Sequence, residues 1–170
     1  MKYVLALIIT LFISTAAYAK SDSVGNWRLF CDESSCSATA LYEHNKGALS
    51  VVLLYAKDGT PVISVFYGSE NFRVDKNKAY HVSIHVNGDT SVVTSMKCSA
   101  GSVIQFQGFF CQELLSFDAL MGLRMWKSIG INGGTKELQA WYGLKGSARA
   151  IDRLVDLFSE LTPPTQGIEG

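Results

Sequence analysis

The sequence has little proline and little charge. Three prolines occur in 170 residues, and two of them are the adjacent Pro163 and Pro164. That excludes a collagen-like or proline-rich linker chain. Charged residues make up 18%, below the usual quarter, while 48% are apolar, so the composition is not that of a disordered chain. Neither sign of charge is in excess, with fifteen basic and fifteen acidic residues, which argues against nucleic acid as a partner. Catalytic signatures are missing too. There is no G-x-S-x-G elbow, no S-x-x-K pair and no G-x-G-x-x-G. Gly130 to Lys136 lacks the G-x4-G-K-[ST] order of a phosphate loop and reads as a turn.

What is present begins with a leader. Lys2 supplies a positive end, Tyr3 to Ile13 is apolar apart from Thr10, and Ala17-Tyr18-Ala19 is a small-x-small cleavage site. This is a secretory signal pattern, and cleavage after Ala19 is predicted to leave a mature chain beginning at Lys20. The apolar core is shorter than the ~20 residues a spanning helix needs, and the mature chain holds no membrane-spanning segment. Residues 20–162 are the length of one domain, and residues 163–170 read as a flexible tail.

Four cysteines, Cys31, Cys36, Cys98 and Cys111, fit an oxidising compartment. Three pairings are possible, and the two local ones, Cys31–Cys36 and Cys98–Cys111, are favoured. A four-Cys zinc site wants C-x2-4-C pairs, and the second spacing does not fit.

From Val24 to about Phe110 the chain alternates between short apolar runs and turn signals. Val24 to Cys31 puts Trp27, Leu29 and Cys31 on one face, and Cys36 to Glu43 can pair back across Asp32 to Ser35. Leu49 to Ala56 is apolar on both faces, which predicts a central strand buried on both sides. Val62 to Tyr67 and a short piece, Phe72 to Val74, follow. The clearest hairpin is Ala79 to Val86, Asn87-Gly88, then Thr90 to Met96. Ser102 to Phe110 reads as a further strand. A short helix capped by Ser116 is predicted to reach Arg124, with strands over Met125 to Ile131 and Leu138 to Leu144. Gly146-Ser147 then opens an amphipathic helix with Ile151, Leu154, Val155, Phe158 and Leu161 on its apolar stripe. Arg149–Asp152 and Arg153–Asp156 are candidate pairs on its wet side. The predicted class is mainly β: an antiparallel β-sandwich with one short helix and a C-terminal amphipathic helix.

Candidate chemistry is sparse. His81 and His85 share a strand face but lie ~13 Å apart by the strand rise, too far for one ion, and His44 stands alone. No metal or other cofactor is expected. Asp32 and Glu33 are neighbours and point to opposite faces. Most aromatics belong in a sheet core. Trp126 and Tyr142 are the expected exceptions, since each neighbours a residue that should face inward, and the Asn87-Gly88-Asp89 tip is the candidate recognition loop.

The order of these features resembles the invasion-associated locus B family of exported bacterial proteins. The resemblance rests on W-x3-C (Trp27, Cys31) with a second Cys soon after, and on F-R-V-D (Phe72 to Asp75). The later Cys pair precedes F-D-A-L-M-G-L (Phe117 to Leu123), and L-K-G-S-A-R-A-I-D-R-L (Leu144 to Leu154) follows. It covers the chain from about Val24 to Leu157. Two departures stand out. Twelve residues separate Cys98 from Cys111 where the family keeps the pair close, so Gly101 to Phe109 is either an added strand or a longer hairpin. Leu144 to Ser147 is a loose match to the family's entry into the last helix. The resemblance implies a β-sandwich scaffold, a periplasmic or outer-membrane-associated location and a role in host-cell entry, with no catalytic residues. The expectation is therefore a non-enzymatic envelope protein that binds an unidentified protein partner. The alternatives are a periplasmic inhibitor or chaperone-like accessory, and an enzyme whose site is assembled from distant loops.

Overall fold

The computed structural model describes residues 20–43, 46–75, 79–103 and 106–163. The leader, His44 and the residues after Pro163 lie outside the described residues.

Turn chemistry and alternation divide the first half into five strands: β1 (Lys20–Val24), β2 (Trp27–Cys31), β3 (Ser35–Tyr42), β4 (Gly47–Tyr55) and β5 (Pro61–Ser69). β1 is a strand that the sequence reading did not separate. Gly25, at φ 60°, breaks the predicted Val24-to-Cys31 run with a two-residue turn, and Val24 pairs back with Trp27. At the next turn the Asp32 carboxylate accepts from the backbone N–H of Ser34 and Ser35, both at 2.8 Å. Partial burial raises its pKa, but these donors outweigh that and hold it below the ordinary carboxylate range.

The second half contributes β6 (Ala79–Val86), β7 (Asp89–Val103), β8 (Phe106–Leu115), α1 (Phe117–Gly122), β9 (Ser128–Asn132), β10 (Gln139–Gly143) and α2 (Ser147–Ser159). Phe72 to Val74 forms no strand, although Phe72 itself is fully buried. The predicted Ser102-to-Phe110 strand is instead the far end of one long hairpin. β7 and β8 pair from Lys97 opposite Gln112 to Val103 opposite Phe106. The residues that set this chain apart from the family pattern thus lengthen a hairpin and add no strand. α1 ends before Arg124, and β9 starts three residues later than predicted.

All ten strands join one antiparallel sheet in the order β1-β2-β3-β4-β5-β8-β7-β6-β9-β10. The architecture is mainly β with a short and a C-terminal helix, as the sequence indicates. The two layers are arms of a single sheet that folds over. β10 packs on β4, and the Tyr142 hydroxyl donates to the Gly68 carbonyl of β5 at 3.0 Å. α2 fills the rest of the concave side, lying across β1 to β4 with Ala150, Ile151, Leu154, Leu157 and Phe158 buried. Each large apolar side chain so buried contributes about 1.5–3 kcal/mol.

The wet side of α2 differs from expectation. Arg153 meets Asp22 at 2.9 Å and Asp152 meets Arg124 at 2.8 Å, while Glu160 meets Lys20 at 2.7 Å. Lys20 and Asp22 alternate onto the inner side of β1, which brings both under the helix. Charge partners from other elements replace the i,i+3 pairs expected within it.

Candidate interaction surface

Strand parity sorts the residues of β2 to β5 and β8 into two faces. The inner row runs Trp27, Ala40, Leu49, Tyr67, Cys111, Cys98, each directly opposite the next. All six are buried. Cys31 faces Cys36 and Cys98 faces Cys111 in register, and both pairs are disulfides. All four sulfurs are therefore committed, which overturns the zinc alternative. In the chain-entropy model loops of these lengths contribute about 2 and about 3 kcal/mol.

The outer face is different. One row reads Phe30, Ser37, Val52, Ser64, Leu114 across five strands, about 19 Å at the usual strand spacing. Leu54 and Val62 pair beside it. Phe30 is 46% exposed and Leu114 67%, while Val52, Leu54 and Val62 are half-buried. The expectation that β4 is buried on both faces is thus half right. Its inner side chains lie in the core; on its outer side Ala48 and Ser50 are buried too, and only Val52 and Leu54 are partly open. A second row, Arg28, Thr39, Ser50, Phe66, Gln112, Lys97, supplies polar groups. Thr39 and Ser50 share a hydrogen bond of 2.8 Å, and Gln112 donates to Ser64 at 3.2 Å. Near them Ala48 and Phe110 form a small cluster with Leu41 and Phe66. Thr39, Ser50 and Ser64 are buried within this face, so it presents the apolar side chains of Phe30 and Leu114 with exposed Arg28, Gln112 and Lys97 beside them, and no acid–base pair.

The predicted recognition residues are scattered. Asn87 (φ 54°) and Gly88 (φ 97°) form the expected turn, and Asp89 is exposed beside them. The Asn87 side chain, however, turns back into the protein. Its amide oxygen accepts from the N–H of Lys127 at 2.6 Å and of Ser128 at 3.3 Å, tying the hairpin to the start of β9. That leaves Gly88 and Asp89 as the open tip.

Tyr142 is fully buried, edge-on to Tyr42 at 5.4 Å and tilted to Tyr67 at 6.0 Å. It is a core residue and not a partner contact, because β10 turns Ala140 and Tyr142 inward and Trp141 outward. The Trp141 ring lies over Gly130, where a Cβ would come within 2.4 Å of it, and reaches His85 at 5.2 Å. Trp126 is half-buried against Gly122.

His81 shares a 3.0 Å hydrogen bond with Ser95 across the β6–β7 pair. Among the described residues no three His, Cys, Asp or Glu side chains converge on a metal position. Glu113 sits on the inner face, where burial raises its pKa, opposed by the Tyr67 hydroxyl donating to it at 3.3 Å.

No family model and no curated protein matches the chain. Among solved structures, the crystal structure of invasion associated protein B from Bartonella henselae superposes with a TM-score of 0.56. It covers 83% of this chain and 99% of its own at 18% identity. The chain therefore has the fold of that invasion-associated protein.

Proposed function

We propose that this is an exported protein of the bacterial envelope, of the invasion-associated locus B type, that works by binding a protein and not by catalysis. The outer sheet face is its recognition surface. One observation carries the reading: an apolar strip spans five strands opposite a core that is already filled. Monomeric soluble proteins seldom leave such a strip open unless something docks there. The two disulfides and the signal-like leader support an oxidising compartment. The shared fold supports the type, and with it a role in host-cell entry. The same open face also suits a chaperone-like accessory of the periplasm.

Two measurements test this. Intact mass of the protein from the envelope fraction, with and without reductant, should show a chain starting at Lys20 with no free thiol. Cross-linking from Phe30 and Leu114 positions in living cells should then capture discrete partners. Capture of host-surface proteins supports an entry role, and capture of envelope assembly intermediates supports the accessory role. A retained leader with four titratable thiols would sink the compartment. Unchanged capture by a Phe30→Ser, Leu114→Ser variant would sink the surface.

A further inference from the structure

At the β2 end of the sheet, a cleft of about 1360 Å³ opens where the β1–β2 turn, the end of β3 and the loop from β10 to α2 meet. Its wall is held from two sides. The Trp27 indole N–H donates to the Lys145 carbonyl at 3.2 Å, and the Tyr42 hydroxyl donates to the Gly143 carbonyl at 2.6 Å. Burial pushes the Tyr42 phenol upward, so it remains a neutral donor. The Leu144 N–H donates to the Lys127 carbonyl at 2.9 Å, and the Ser147 hydroxyl donates to the Leu123 carbonyl at 2.7 Å, fixing the far side of the loop. The shape is therefore preformed, which lowers the ordering cost of binding.

Charge gives the cleft its chemistry. Arg28 and Lys145 both line it, as does Glu43. Among the described residues the ion pairs are Lys20–Glu160, Lys46–Glu70, Arg124–Asp152 and Arg153–Asp22. Neither Arg28 nor Lys145 has a carboxylate partner there. Two cations outside any ion pair, against the single carboxylate of Glu43, leave the lining net positive and favour an anionic occupant. Glu43 in the same lining disfavours a polyanion such as nucleic acid. The volume exceeds the ~300–1,000 Å³ of small-molecule sites, which favours a chain segment.

We infer that this cleft binds a short acidic peptide segment of a protein partner, its carboxylates meeting Arg28 and Lys145 while Glu43 accepts from its N–H groups. The inference rests on the reading of the molecule as a protein binder; the cleft adjoins the β2 end of the sheet face and shares Arg28 with it, but takes its other walls from elsewhere.

The test is an NMR titration of the oxidised, processed protein with acetyl-Gly-Glu-Ala-Glu-Gly-amide and with its Gln counterpart. The Glu peptide should saturably shift the Trp27 indole N–H and the Gly25, Asn26 and Lys145 amides, and the Gln peptide should not. Arg28→Gln and Lys145→Gln should each weaken binding about 10-fold to 100-fold, as loss of a charged hydrogen bond does. Both sites are exposed, so each variant should keep the wild-type dispersion of amide signals. The Leu114→Ser variant, on β8 four strands from β2, should bind the peptide normally, which separates failure of this site from failure of the sheet face. Equal binding of both peptides, indifference to Arg28→Gln and Lys145→Gln, or no shift at all would overturn the inference. Glutarate binding as tightly as the Glu peptide would overturn it in favour of a small anion. The same shifts arising from protein concentration alone would overturn it in favour of a second copy.

Discussion

The two faces of the same strands have opposite fates. On the inner face Trp27, Leu49, Tyr67 and the four cysteines are sealed beneath α2 and β10. On the outer face Phe30, Val52 and Leu114 are separated only by serines and stay open to contact. Because side chains alternate with period two, residues one step apart belong to different physical problems. Inner positions set stability, while the exposed outer positions Phe30 and Leu114 can change with little effect on folding and so are available for recognition.

That contrast can be broken most directly at Leu154. Leu154→Ala leaves a cavity under the helix and is expected to cost about 2–5 kcal/mol, read as a lower denaturation midpoint with unchanged slope. A smaller value would mean that α2 is not essential to the inner seal. Replacing Cys98 and Cys111 together by alanine should cost about 3 kcal/mol in the chain-entropy model, again read from the midpoint.

Glu113→Gln sharpens the comparison by sign. Burial raises the folded-state pKa of Glu113 above its unfolded value. Its contribution to stability is therefore fully present below the unfolded value of about 4.3 and is lost as pH rises through the folded one. The Gln variant should be slightly more stable at neutral pH and should lack that segment of the pH profile. An unchanged profile would show that the carboxyl is solvated. Smallest of all, Leu114→Ser should move stability by no more than about 0.5 kcal/mol while reducing partner capture. A loss comparable to Leu154→Ala would mean that the outer strip is core.

Much of this arrangement was legible. The Cys31–Cys36 hairpin, the Asn87-Gly88 turn, the Ser116 cap and the stripe of α2 each follow from a local signal acting over a few residues. The parity of β10 was legible but misjudged. Leu138, Ala140, Tyr142 and Leu144 alternate with Gln139, Trp141, Gly143 and Lys145, and all of the first set are buried. The expectation that Tyr142 faces a partner runs against that alternation.

Other features have no local signal. Pairing of β5 with β8, and not with β6, depends on how three strands fold back as a unit. Apolar residues on both sides of β4 reveal hydrophobicity but not whether a second layer covers it. The cleft draws on three separate segments, so no spacing could announce it.

The Lys20–Glu160 contact joins residues 140 positions apart, and α2 follows all ten strands along the chain. Until it arrives, the hollow of β1 to β3 lacks the cover that α2 supplies. Assembly is consequently slow by topology and vulnerable to clumping midway. A nascent chain halted before Ser147 would be a substrate for a holdase or a protease.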